Sequence, residues 1–181
     1  MRKLFIGAFF VVGIIAFFAC DDGIDYEKIR REELAILKEY INQNHSDAEP
    51  TSSGLYYIEL KEGVVEDTIK PGDRVQVYYA TWVLDKDSDG SLDSSLVDQS
   101  IGYLEGHRYE PLSFRVGEGT VVAGLEEGIT YMNPQTKGKL VINSELAYGQ
   151  RGSSGGGVGM FKTLIMEIEV YKVFPLEVSS E

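Results

Sequence analysis

Two long runs of β-branched and aromatic residues, Arg74 to Asp85 and Thr163 to Phe174, constrain this chain more than any other feature. Both read as long strands. Between them lies one helical signature, with Leu125, Ile129 and Met132 at i, i+4 and i+7, stopped near Asn133-Pro134. Leu55 to Leu60, Leu112 to Val116 and Lys139 to Ile142 read as shorter strands, and Lys70-Pro71-Gly72-Asp73 as a turn. Strands surrounding one short central helix predict an α+β domain with an antiparallel sheet. No internal repeat is visible. Ahead of the domain, Asp25 to about Asn44 predicts a helix, because Ile29, Leu34, Ile36, Leu37, Tyr40 and Ile41 form a stripe among charged residues. Asp25 is its expected cap, and the helix is expected to pack on its own domain or act as a spacer, with a partner or dimer helix as the competing reading. The segment from His45 to Gly54 reads as a linker, and Gly149 to Gly159 as a glycine-rich loop.

The chain has 181 residues, 43% of them hydrophobic, which is enough for one core and argues against global disorder. Its formal charge of −12 leaves no basic stripe to replace phosphate counterions, so nucleic acid is excluded as a partner class. One cysteine allows no intrachain disulfide, and two distant histidines, His45 and His107, argue against a zinc site.

The start of the chain has its own grammar. Basic Met1-Arg2-Lys3 precedes an apolar run from Leu4 to Ala19, which is short for a bilayer span. This is the layout of a secretory signal peptide. The lone Cys20 directly after Ala19 resembles the lipobox of bacterial lipoproteins, in which that cysteine is acylated and becomes the new N-terminus. Phe17 and Phe18 depart from the usual Leu-[Ala/Ser]. The expectation is a signal peptide over 1–19 and a leader with a helix, lipid-anchored at Cys20, over 20–50. A globular domain follows over 51–176, with a tail over 177–181. The expected location is the bacterial cell envelope, membrane-anchored on the periplasmic or outer-surface side.

Several catalytic templates fail. There is no Gly-x-Ser-x-Gly elbow and no histidine in a triad context. Gly156 to Thr163 brushes against a P-loop, but Phe161 stands where glycine is needed and a strand follows instead of a helix. Asp85 to Asp93 matches the first nine positions of a calcium loop, which makes Asp85, Asp87, Asp89 and Asp93 a weak calcium set. Position twelve is Leu96 instead of a bidentate glutamate. The alternative is an acidic hairpin turning at Asp89-Gly90.

The strongest signal is distributed. Val77-Tyr78-Tyr79-Ala80 is followed in order by Leu92-Asp93-Ser94-Ser95, Pro111-Leu112-Ser113-Phe114 and Val121-Val122-Ala123-Gly124-Leu125-Glu126-Glu127-Gly128. Leu146-Ala147-Tyr148-Gly149 and Thr163-Leu164-Ile165-Met166-Glu167-Ile168-Glu169 complete the series. From Leu55 to Phe174 the set resembles the FKBP-type peptidyl-prolyl isomerases. The helix together with Ser53-Gly54-Leu55-Tyr56-Tyr57 is similar to the lead-in of envelope-attached bacterial members.

The resemblance implies a twisted antiparallel sheet wrapped around one short helix, with a prolyl pocket between them. It implies catalytic roles for Tyr79, Asp93, the Val122 N–H and Tyr148, and pocket walls from Leu92, Leu112, Val121, Leu125 and Met166, with Phe114 in the core. It implies no cofactor. The barrier to prolyl rotation is set by amide resonance, so a site has to favour the twisted amide and does not need a nucleophile or metal. The family's aromatics are replaced here by aliphatic residues and Met166, and its Ile-Pro-Pro pattern by Val158 alone. Ser95 to Arg108 reads as a lengthened loop. The expected partners are proline-containing segments of exported proteins, and the membrane through the lipid. The competing expectation is a catalytically weak FKBP-like binding module of an envelope assembly.

Overall fold

The computed structural model describes residues 23–64, 68–106, 110–155 and 157–176. The expected signal peptide, Cys20, His107, Arg108 and the tail after 176 lie outside the described residues. Among those residues, no helix is long and apolar enough to cross a membrane.

The first element is helix α1, Tyr26–Asn44, with Asp25 as its cap accepting the Lys28 N–H at 2.9 Å. It packs on its own domain and is not a free spacer. Leu37 and Ile41 are buried against Val141, flanked by Tyr40, Tyr56 and Ile58.

Six strands follow, all paired antiparallel: β1 Tyr56–Lys61, β2 Arg74–Lys86, β3 Leu92–Gln99, β4 Leu112–Arg115, β5 Lys137–Ile142 and β6 Thr163–Phe174. The order across the sheet is β1-β5-β6-β2-β3. The two long strands lie side by side, with β2 paired to β6 from Arg74↔Phe174 to Leu84↔Thr163. The free edge of β2 is shared end to end by β4, which pairs Arg74 to Val77, and β3, which pairs Ala80 to Lys86.

One expectation is corrected here. Residues 95–99 are strand, not loop, because the 87–90 turn is tight: the Gly90 N–H donates to Asp87 O at 2.9 Å, and Lys86 already faces Leu92. β3 therefore runs on to Gln99 before the chain leaves the ladder at Ser100.

Helix α2, Ala123–Ile129, packs on the face of the sheet that carries Leu140, Ile142 and Ile168. Two helical glycines permit the approach. A Cβ on Gly124 would sit 2.3 Å from Ile142 Cγ2, and one on Gly128 would sit 2.4 Å from Leu140 Cδ1. Leu125 and Ile129 then enter a core with Val75, Val77, Phe114, Leu140, Leu164 and Ile168. The pleat sends alternate β2 residues to opposite faces. Tyr78 packs with Tyr103 on the opposite face, while Tyr79 and Thr81 face the pocket beside the helix.

Candidate functional site: an apolar pocket between helix and sheet

A pocket of about 520 Å³ opens where α2 meets the sheet. Its floor and walls are Leu125 from α2, Leu164 and Met166 from β6, Val97 from β3 and Leu112 from β4. Val121 and Val122 precede α2, and Val158 closes the side opposite. Leu125 is 2% exposed and Met166 5%, so the floor is buried and apolar.

The polar groups stand at the rim. The Tyr79 hydroxyl donates to Asp98 Oδ2 at 2.8 Å. Burial, then this hydrogen bond, then the Asp98 charge and the neighbouring Tyr148 raise the Tyr79 phenol above its ordinary value, so it stays a neutral donor. Ser100 fixes this corner. Its N–H donates to Tyr79 O at 2.9 Å, and its hydroxyl accepts the Tyr79 N–H at 3.2 Å.

Val122 is the N-cap of α2, with extended backbone, so its N–H stands outside the helix ladder. The loop before it is held by Glu126, which accepts from Gly119 N at 2.7 Å and Gly117 N at 3.1 Å. Tyr148 is 41% exposed at the mouth, between the 3₁₀ turns Ser144–Leu146 and Gly149–Arg151. Ser153 shapes the far wall. Its hydroxyl accepts the Val158 N–H, and its N–H donates to Val158 O, both at 2.9 Å.

Tyr79, Leu112, Val121, Val122, Leu125, Tyr148 and Met166 are thus brought together around the pocket. Leu92 and Asp93 are not among its lining residues. Asp93 pairs with Asp85 and Leu92 with Lys86, at the hairpin end of β3, far along the ladder from Ala80↔Gln99. Val97 and Asp98 occupy the place expected of them. Thr81 and Leu164 also line the pocket without having been singled out in the sequence. Their signal was the alternation itself, Thr81 two residues after Tyr79 and Leu164 two before Met166.

The acidic hairpin spends its carboxylates locally. Asp85 pairs with Lys162, Asp87 bonds the Ser88 N–H, and Asp89 accepts from Ser91 N at 2.9 Å and Ser91 Oγ at 2.7 Å. No group of three metal-ligating side chains occurs among the described residues.

Residues 66–171 match the model of the family described as FKBP-type peptidyl-prolyl cis-trans isomerase. The chain belongs to this family. An FK506-binding protein of Neisseria meningitidis serogroup B is 35% identical over 121 residues, covering 67% of this chain and 97% of the relative. The crystal structure of FkpA from Escherichia coli is 31% identical with a TM-score of 0.62, over 84% of this chain and 64% of that one. A peptidyl-prolyl cis-trans isomerase structure from Pseudomonas syringae, 24% identical with a TM-score of 0.64 over 84% of this chain and 98% of that one, shares the fold. FKBP family members are peptidyl-prolyl cis-trans isomerases. Within this family fold, Val97 and Asp98 line the pocket beside Leu112 and Leu125.

Proposed function

We propose that this chain is a peptidyl-prolyl cis-trans isomerase that acts on proline-containing segments of exported proteins while anchored to the bacterial envelope through Cys20. The observation that carries the reading is a pocket floored by Leu125 and Met166, with the Tyr79 hydroxyl donating to Asp98 at its rim and Val122, the N-cap of α2, among its lining residues.

The chemistry follows from the barrier. Rotation about the prolyl bond costs about 18–20 kcal/mol because resonance holds the amide planar. That resonance separates charge, and water stabilises it. Seating the proline ring on Leu125, Val97 and Met166 strips water from the amide and weakens the planar form. The Val122 N–H holds a substrate carbonyl in place. Tyr79 and Tyr148 offer hydroxyls to the chain on either side of the proline. Interactions stronger with the twisted amide than with the planar one lower the barrier, and no covalent step is needed. Asp98 orients the Tyr79 hydroxyl and keeps it protonated.

The envelope location is supported by the lead-in of the sequence, basic residues, an apolar run and then a lone cysteine. Labelling cells with an acyl-chain precursor tests it. Label in the wild type that disappears in Cys20→Ser supports the anchor, and equal labelling of both refutes it.

A second reading draws on the same pocket. Val97, Leu112 and Leu125 present aliphatic surface to the pocket, and at Leu112 and Leu125 the family resemblance implies aromatic rings, whose loss reduces grip on a proline ring. In that reading the domain holds a partner in an envelope assembly without turning it over. Catalysis of a prolyl peptide at the rate of the uncatalysed background would favour this alternative.

A further inference from the structure

Prolyl isomerisation has no use for a buried carboxylate remote from the pocket, yet Glu33 of α1 is 5% exposed. Its carboxylate accepts the Ser144 N–H at 2.6 Å, the Ser144 hydroxyl at 2.8 Å and the Thr163 hydroxyl at 2.9 Å, and it pairs with Arg30. Arg30 in turn reaches Glu145, with Nη2 3.0 Å from Oε2. Burying a carboxylate is costly unless its lone pairs are met, and here four donors meet them. An apolar side chain would seal the helix at less expense. What the carboxylate adds is direction, because it fixes the backbone of Ser144 against α1.

The same helix touches the chain again further on. The Tyr26 ring lies 6.2 Å from the Phe161 ring. Phe161 holds a positive φ of 48°, unusual for a residue with a side chain, and its N–H donates to Gly149 O at 2.9 Å. Glu33 and Arg30 therefore grip the start of the Ser144–Phe161 segment, and Tyr26 supports its end. Between these points the segment carries Tyr148, Ser153, Ser154, Gly155, Gly157 and Val158, which line the pocket.

We propose that α1 is a clasp for the pocket roof, with Glu33 as a positioning residue that holds the Ser144–Phe161 segment in the shape that presents Tyr148 and Val158 to the peptide. This deepens the isomerase reading and rests on it. It gives the N-terminal helix a part in the site that its distance from the pocket conceals.

The test uses the full chain with Glu33→Gln, which keeps the shape, and Tyr26→Ala, which removes an exposed ring and spares the core. Hydrogen exchange is followed over 145–154, with 164–170 in β6 as the internal reference. Turnover of a prolyl tetrapeptide is measured alongside. The expected result for Glu33→Gln is exchange about tenfold or more faster over 145–154, as fits the loss of a charged hydrogen bond, with β6 unchanged. KM rises several-fold while kcat changes little, and the effect on KM shrinks when Tyr148→Phe is already present. Tyr26→Ala changes the same segment to a smaller degree. Exchange that is unaltered, or that rises evenly across the sheet, overturns the clasp, as does an unchanged KM. Should the wild type show no turnover, the isomerase reading fails by itself. The clasp is then judged on exchange and on the Kd of the same peptide, which must rise several-fold in Glu33→Gln.

Discussion

The Tyr79 hydroxyl meets Asp98 Oδ2 at 2.8 Å on a diagonal of the β2–β3 ladder, where Thr81 is the direct partner of Asp98. Diagonal neighbours on one face of a sheet lie within reach of an aromatic side chain, so the pair is a product of strand register. Replacing Asp98 by Ala should lower kcat/KM on a prolyl tetrapeptide by about tenfold or more, the scale of a hydrogen bond to a charged group. Tyr79→Phe should cost less. Asp93→Ala, at the hairpin end, should leave the rate within about twofold, the usual effect of a surface change. Equal losses in Asp93→Ala and Asp98→Ala would show that the register argument does not govern the site.

That contrast also shows what could be read from the sequence. The long strands and α1 were legible because their patterns are long: β6 begins at Thr163 and ends at Phe174 as its composition predicts. Tyr79, Leu125, Tyr148 and Met166 sit in local contexts that resemble the family closely, and all line the pocket. Asp93 was singled out because Leu92-Asp93-Ser94-Ser95 reproduces a short string. The residue at the pocket is chosen instead by a tight turn and by a register shift between Thr81 and Trp82. A period of two means that small changes in register move a different residue to the pocket face. Only the structure separates exposed Leu96 from inward Val97, since the two are adjacent apolar residues in the sequence. The clasp at Glu33 could not be read, since its partners Ser144 and Thr163 lie more than 100 positions away.

The aliphatic wall predicts a gain of function. Val97 is half-buried at the pocket beside Asp98. Val97→Phe should tighten binding of a prolyl peptide by about threefold to tenfold, in line with the value of an added aromatic contact. Titration calorimetry reads this directly. Unchanged or weaker binding would mean that the proline ring does not rest there.

Helix α2 predicts a loss of stability. Gly124→Ala improves intrinsic helix propensity by about 1 kcal/mol. It also drives a methyl to 2.3 Å from Ile142 Cγ2, deep in the core. Overpacking of this kind costs about 1–3 kcal/mol, so the net change should be destabilising, seen as a lower urea midpoint with an unchanged m-value. A stabilised variant would contradict the close approach of α2 to β5.

Phenols raised by burial set the alkaline limit, Tyr57, Tyr103 and Tyr79 foremost. Tyr57 is pushed up to about 12 by burial, with the Glu59 charge and hydrogen bond adding to it. Tyr103 is also pushed up to about 12, by burial first, with Lys137 opposing and Glu167 and Glu169 assisting. Tyr79 moves in the same direction. An unfolded tyrosine loses its proton near pH ~10. Above that the folded chain binds more protons than the unfolded one, so stability falls as pH rises. The urea midpoint should therefore change little through these groups below about pH 10 and fall between about 10 and 12, less steeply in Tyr57→Phe. A midpoint that rises in that window would reverse the sign of the argument.

The most direct test of the central claim is the cis-to-trans rate of a prolyl tetrapeptide in a protease-coupled assay, with the full-length protein at increasing concentration. The account predicts a rate that climbs in proportion to protein and drops in Asp98→Ala. A rate that stays at the uncatalysed background at high protein concentration would contradict it.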